Sequence, residues 1–509
     1  MNGIALDKVE DKTIQSIKWS FTLQVFQKIF FFLGSVVLAR LLNPEDFGIA
    51  AIALTLDTLT WLVTSLGVNA AIIHYQDNFD ERINAALWLY LVSSSVFFVL
   101  QIVAAPLISI FYSEKILVDI LRINAVAMFI TCLGAVNKTI LVKNIEFKKI
   151  SLLEGSLNIL KSLLYITFAL FGFGVWSFIY PKIITAIISS ISMWKLTGWR
   201  PKFKFSFKYW FEMFNYGRNV LASNMIDYLL NNSSYILIGN MVGSKMLGLY
   251  TFAYDKSMLV VNNITYPLMM ISFPAFSRLQ DHKDKLKSAF FKAVKLLSIL
   301  TFPITIGQII LGHEYITTIF GHKWEKSVTI FQIILVYSML RSVCQVGTPV
   351  LQSIGKPQIA LKLNLIYAHI FISSLYLGFK LNNILGLAMA ASLVGSLWTI
   401  IYISVVIKEL GWKISDMIHA TGESLLSAII MGFILFVIKL FLIKIHCSRE
   451  LILILLLPLG IIIYFMLVRF LFKETYGFIT EYVIKFIGKK QIKTPLFNKD
   501  EGRDKIEET

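Results

Sequence analysis

Charge is scarce in this 509-residue chain. Only 16% of residues are Asp, Glu, Lys or Arg, while 56% are hydrophobic and mean hydropathy is +0.70. A soluble protein needs far more polar residues to cover its surface. The shortage excludes a soluble enzyme, a nucleic-acid-binding domain and a disordered chain. Cysteine is scarcer still. Cys132, Cys344 and Cys447 stand far apart, fit no disulfide framework or metal motif, and read as small apolar fillers. Neither GKS nor GKT occurs, so no phosphate loop for ATP hydrolysis is expected. HExxH and paired cysteines are also missing, so no metal, no cofactor and no catalytic residue are predicted. Loops longer than about twenty residues are lacking, which leaves no room for a soluble active site outside the membrane.

What remains is a succession of apolar runs. They fall at 17–40, 47–70, 83–111, 118–140, 151–172, 174–195, 215–241, 247–275, 289–312, 328–350, 358–379, 384–408, 421–444 and 450–472. Each is near the length of about twenty residues that crosses a hydrocarbon core of about 30 Å. Strands of a membrane barrel would be shorter and would alternate, so the fold class is all-α: an integral membrane protein of about fourteen helices. The fifth and sixth runs are parted at GFGVW, Gly172 to Trp176. The first run follows a polar lead and no small-residue cleavage site follows it, so it reads as a retained helix rather than a signal peptide.

Net charge is +17 and pI about 9.5. With the N-terminus in the cytoplasm, Lys143, Lys148, Lys149, Lys195, Arg200, Lys202, Lys204 and Lys208 all fall on the cytoplasmic side. So do Arg278, Lys283, Lys285 and Lys287, and the tail residues Lys485, Lys489, Lys490 and Lys493. This bias places both termini inside and explains the basic balance as topology, without nucleic acid. The tail from 476 to 509 is polar and reads as disordered.

An internal repeat is visible. VVLARLLNPEDFGIAAIA (36–53) aligns with YILIGNMVGSKMLGLYTFA (235–253) at an offset of about 200, pairing Gly48 with Gly248 and Ala53 with Ala253. LISIFYSEKILVDI (107–120) echoes YITTIFGHKWEKSVTI (315–330), and Leu141 aligns near Leu351. Three matches in one order predict a six-helix unit duplicated in parallel. The expected organisation is a lobe over 1–200, a second over 201–412, two extra helices over 413–475 and the tail.

A charge inside a membrane span costs about 2.5–3.5 kcal/mol on insertion scales, so it normally faces a cavity or a partner. The first span carries Ser20, Gln24, Gln27, Lys28 and Ser35, roughly on one face. The second carries Asp57. Asn224, Asp227, Asn231 and Ser234 stripe the seventh, Arg218 sits nearer its cytoplasmic start, and Tyr254, Asp255 and Lys256 stand on the eighth. Such stripes either line a polar cavity or glue helices together.

ARLLNPEDFG (39–48) resembles the turn after the first helix of Wzx-type polysaccharide flippases. GFGVWSFIY (172–180), LIGNMVGSKMLGLYTFAY (237–254), FPAFSRLQ (273–280), IFGHKWEKS (319–327) and SIGKPQ (353–358) follow in that family's order. The resemblance is to the branch of the multidrug/oligosaccharidyl-lipid/polysaccharide (MOP) exporter superfamily that holds the colanic-acid type exporters. It departs at Ser234 and Asn240, where relatives carry an acid and a base, so no ion pair is carried over there.

The resemblance implies a flippase whose substrate is an oligosaccharide on an undecaprenyl pyrophosphate, moved to the outer leaflet under an ion gradient. It implies that helices one, two, seven and eight line the cavity. On that footing Lys28, Arg218 and Lys256 would face the pyrophosphate, and Gln24, Asn224, Asn231 and Tyr254 the sugars. Asp57, Asp227 and Asp255 would be candidates for ion coupling. A polysaccharide polymerase and a chain-length regulator are the implied partners. The rivals are a small-molecule antiporter of the multidrug (MATE) type on the same fold, whose cavity should be more acidic, and a membrane polymerase or ligase, which should carry a large external loop.

Overall fold

The structure is a computed structural model that describes residues 28, 30–75, 77–144, 146–202, 206–472, 474–478 and 480. Gln24, with Ser20 and Gln27, lies outside the described residues, and so does nearly all of the tail. Every described element is helical. In order they are α1 (Phe30–Leu41), α2 (Pro44–Ser65), α3 (Phe79–Tyr112), α4 (Leu117–Lys143), α5 (Phe147–Leu170), α6 (Trp176–Thr197) and α7 (Phe207–Val242). Then come α8 (Ser244–Ser257 with Val261–Leu279), α9 (Lys283–Ile310), α10 (Val328–Cys344), α11 and α12 (sharing Pro357–Glu409), α13 (Ile414–Lys444) and α14 (Arg449–Leu471).

Among the described residues nine helices are long and apolar enough to cross a membrane, or ten if the bent α8 counts as one span. The expected fourteen differ for physical reasons. Only the second half of the first run is described. Glu154, Asn158 and Lys161 in α5, and the polar stripe of α7, make those two helices less apolar than the rest. The runs at 358–379 and 384–408 join into one helical stretch, interrupted where Asn382 and Asn383 leave helical geometry (Asn383 φ 46°, ψ −135°). On α14, Leu451, Ile454, Leu457, Ile461, Phe465 and Met466 are all exposed. Such a row is stable only against lipid. The chain is a multi-pass membrane protein.

Local chemistry sets the ends of the helices. In NPEDFG, Pro44 takes the first helical position of α2, where its missing N–H costs nothing. The Asp46 carboxylate accepts the Asn43 N–H at 2.9 Å, and Glu45 and Asp46 complement the positive end of the helix. The GFGVW turn parts α5 from α6 because Gly172 (φ 78°) and Gly174 (φ 54°) adopt left-handed backbone.

By its contacts the chain falls into two compact units. The first comprises Met1–Phe252, Ile319–Ser327 and Leu375–Gly386; the second comprises Ala253–Thr318, Val328–Ser374 and Leu387–Thr509. In the first unit a core of Val68, Ile72, Ile83, Tyr90, Val136 and Met213 buries Cys132, which does act as a filler. Two glycine crossings draw backbones together there. A Cβ on Gly48 would strike the Ser244 carbonyl and lie 3.0 Å from the Gly248 nitrogen; one on Gly248 would strike the Pro44 carbonyl and lie 3.0 Å from the Gly48 nitrogen. The contact is reciprocal, and its members are the glycines that the repeat pairs. At the other end of α2, Gly67 meets Gly217 of α7 in the same way.

In the second unit α8 bends by 42° between Ser257 and Val261, and residues Val261–Thr265 form a π-turn ahead of Pro267. A π-turn before a proline is a recognised cause of kinking, since the proline cannot donate to the helix ladder. Hydrogen bonds from α10 flank the bend: Ser338 donates to the Ser257 carbonyl at 2.7 Å, and Thr265 donates to the Ser342 carbonyl at 3.1 Å.

Candidate functional site

The α7 stripe occupies one face. Arg218, Asn224, Asp227 and Asn231 are exposed, while Tyr228, Ser233 and Ser234 are buried. Tyr228 donates to the Thr55 carbonyl at 3.2 Å and so ties α7 to α2 beside the stripe. Asn231 folds back to the Asp227 carbonyl at 2.8 Å, which keeps its amide on that face.

Asp57 lies elsewhere. It forms an ion pair with Lys182 of α6, which also donates to Asn124 of α4 at 3.3 Å. Lys161 of α5 stands close enough to act on the pair electrostatically and lies 5.7 Å from the Tyr165 ring. Two cations and one carboxylate thus share the interior of the first unit. Removing one partner of such a pair leaves a charge that lipid cannot solvate.

The segment 319–327 binds the end of α1 through its backbone. Lys323 donates to the carbonyls of Arg40 (2.9 Å) and Leu42, and Trp324 donates to the Ala39 carbonyl at 2.8 Å. Arg40 returns a bond to the Ile319 carbonyl at 2.9 Å. These donors satisfy carbonyls that a helix end leaves without partners. The fully buried Trp324 stacks on Phe252 at 4.0 Å and meets Phe47 edge-on at 4.9 Å. At the opposite end of α2, the Arg82 guanidinium reaches Asp77 at 3.0 Å and Glu212 at 2.9 Å, between the rings of Tyr75 and Tyr209. Its hydrogen bond holds the Asp77 carboxyl below the usual carboxylate range.

In the second unit Arg341 of α10 donates to the hydroxyls of Tyr337 (3.0 Å) and Tyr266 (3.2 Å). Tyr254 and Tyr367 lie within its electrostatic reach, and Tyr367 stacks on Trp398 at 5.5 Å. Gly395 of α12 admits the Tyr337 ring, since a Cβ there would come within 2.8 Å of it. Lys256 is buried and Asp255 exposed, as neighbours on a helix must diverge. Lys28 is half-buried in the first unit.

The structure therefore sets Asn224, Asp227 and Asn231 on one face of α7, leaves Arg218 nearer the start of that helix and turned to another side, and brings Tyr254 to Arg341. It separates Asp57 from the α7 stripe and ties it to Lys182. From sequence alone Arg341 is one more charge in the tenth span, able to line a cavity or to snorkel near a helix end. The spacing of four between Tyr337 and Arg341 was the available signal.

The family model for polysaccharide biosynthesis proteins matches residues 37–329, more than half of the chain. The chain belongs to that family. Its relatives include the teichuronic acid biosynthesis protein TuaB of Bacillus subtilis, 27% identical over 302 residues. The match spans 59% of this chain and 62% of TuaB, less than two thirds of that relative. The lipopolysaccharide biosynthesis protein WzxC of Escherichia coli is 25% identical over 412 residues, 79% of this chain and 82% of WzxC. Among solved structures, the lipid II flippase MurJ in its inward closed conformation superposes with a TM-score of 0.74 at 15% identity, covering 89% of this chain and 98% of MurJ. An inward-facing multidrug transporter of the MATE family in the MOP superfamily gives 0.59 at 16% identity, covering 76% and 94%. At these identities the likeness is one of fold. The family resemblance and the all-α membrane fold expected from the motif segments are borne out.

Proposed function

We propose that this member of the polysaccharide biosynthesis family is a flippase that moves a lipid-linked oligosaccharide between leaflets. The single observation that carries the reading is the open polar face of α7. Asn224, Asp227 and Asn231 stand exposed on one side of a helix that runs among apolar spans. Lipid cannot solvate such a face, and a saccharide with an anionic linkage can. The likeness to the lipopolysaccharide biosynthesis protein WzxC, to TuaB and to the lipid II flippase MurJ supports the same reading.

In this reading the substrate hangs from undecaprenyl pyrophosphate and crosses from the cytoplasmic to the outer leaflet of the inner membrane, and both termini are cytoplasmic. Lys28, Arg218 and Lys256 meet the pyrophosphate; Gln24, Asn224, Asn231 and Tyr254 meet sugars. Asp57, Asp227 and Asp255 are the candidates for coupling to an ion gradient. The chain carries out transport and no covalent step, and it delivers to a polymerase and a chain-length regulator. Two six-helix lobes, 1–200 and 201–412, arise from a parallel duplication, which the mutual packing of Gly48 and Gly248 supports. Residues 413–475 add two helices.

The test is depletion of the protein followed by leaflet-resolved measurement of lipid-linked repeat units. Their accumulation on the cytoplasmic face is expected. Arrival in the outer leaflet at the normal rate would refute the proposal.

A further inference from the structure

We infer that Arg341 and its tyrosines form a subsite for the carboxylate of an acidic sugar within the carried oligosaccharide, an inference that rests on the flippase reading above. The guanidinium is half-buried in the second unit, and among the described residues no carboxylate pairs with it. It donates to the phenol oxygens of Tyr337 and Tyr266, at 3.0 and 3.2 Å. Neutral hydroxyls fix the orientation of the fork but leave its charge uncompensated. A membrane span retains an uncompensated cation at considerable cost, and a function is the usual reason.

The surroundings select the anion. Tyr254, Tyr266, Tyr337 and Tyr367 lie about one guanidinium, and Tyr367 is backed by Trp398 at 5.5 Å. The Trp398 indole N–H is buried without an acceptor among the described residues. Aromatic faces suit the C–H faces of a pyranose, and phenol and indole groups suit its ring substituents. A planar fork matches a carboxylate two bonds to two, charge for charge. A diphosphate, with more charge, calls for several cations. Here the one guanidinium meets tyrosine hydroxyls and the Tyr337 ring.

Gly395 and the α10 serines hold the arrangement. The glycine lets α12 lie against the Tyr337 ring, and Ser342 donates to the Thr301 hydroxyl at 2.9 Å, fixing α10 beneath Arg341. Lysine at position 341 could keep the charge but not the fork.

The experiment measures binding of three synthetic probes to the full chain in nanodiscs. Each is a short isoprenyl diphosphate: one bears a disaccharide ending in glucuronic acid, one the same disaccharide ending in glucose, and one no sugar. Wild type is expected to bind the glucuronic probe about tenfold or more tightly than the glucose probe, as a charge-assisted hydrogen-bonded pair would give. Arg341→Gln should bring that ratio to about one while the glucose and sugar-free probes keep their affinities. Arg341→Lys should fall between, and Tyr266→Phe, which deletes one hydroxyl and no charge, should lower the ratio without unfolding risk. Equal loss for all three probes in R341Q would overturn the inference, because the arginine would then serve the diphosphate or the fold. No preference in wild type would overturn it as well. Failure of wild type to bind any probe would refute the flippase reading itself and this inference with it.

Discussion

Adding one methyl group at Gly48 tests the packing that joins α2 to α8. A Cβ at Gly48 runs into the Ser244 carbonyl and sits 3.0 Å from the Gly248 nitrogen, so the struck atoms are backbone and cannot rotate away. Overpacking costs about 1–3 kcal/mol, and with backbone as the obstacle the value falls near about 3. Alanine returns about 1 kcal/mol through its better helix propensity. Gly48→Ala should therefore lose about 2 kcal/mol, and Gly248→Ala a similar amount. Once the helices have parted to admit one methyl, the second meets less resistance. The double variant should then lose less than the sum, by about 1 kcal/mol or more. Gly307→Ala, where a Cβ on α9 meets nothing within 4 Å, is the control and should gain up to about 1 kcal/mol from helix propensity alone. Titration with SDS in mixed micelles reads these differences. A Gly48→Ala midpoint matching wild type, or a strictly additive double variant, would refute the reasoning.

Asp57→Asn and Lys182→Met should each destabilise by about 3–5 kcal/mol, and the double substitution should recover most of the loss, as for a buried pair; the same titration decides. Trp324→Ala should cost about 3–5 kcal/mol and speed amide exchange through residues 319–327, because the indole both donates to Ala39 and fills the space between Phe47 and Phe252. The Asp77 carboxyl is held below its unfolded value by Arg82, so its contribution is present above that unfolded value of about 4 and fades as pH falls through the folded one. Asp77→Asn should flatten that acid limb in the exchange protection of residues 77–82, and an unchanged limb would show that another group governs it.

Much of the fold was legible because the physics is local. Lipid demands long apolar helices, and NPEDFG and GFGVW carry their own cap and turn chemistry. The residues that break α11 from α12 fall between two apolar runs. The π-turn of α8 was not legible, since Pro267 marks a kink without fixing its form. The site was read in part. The α7 stripe follows helical spacing, and Asn224, Asp227 and Asn231 are exposed while Ser234 is buried. The pairing of Asp57 with Lys182 spans 125 positions and four helices, and no spacing rule connects them. Arg341 was undervalued for a similar reason: Tyr254, Tyr266 and Tyr367 reach it from other helices, and only packing assembles them.

The wide turn in α8 has a mechanical consequence. A π-turn is a helix carrying one surplus residue. Sliding that surplus along the rod costs no net hydrogen bond, yet every side chain it passes swings by about 100° about the axis. Asn262 and Asn263 stand outward at Val261–Thr265 now. Were the slack to travel one turn toward Ser257, the side chains of Met258, Leu259 and Val260 would change azimuth while the far end stayed anchored through Thr265. In this way a single rod can present two different faces without ever melting.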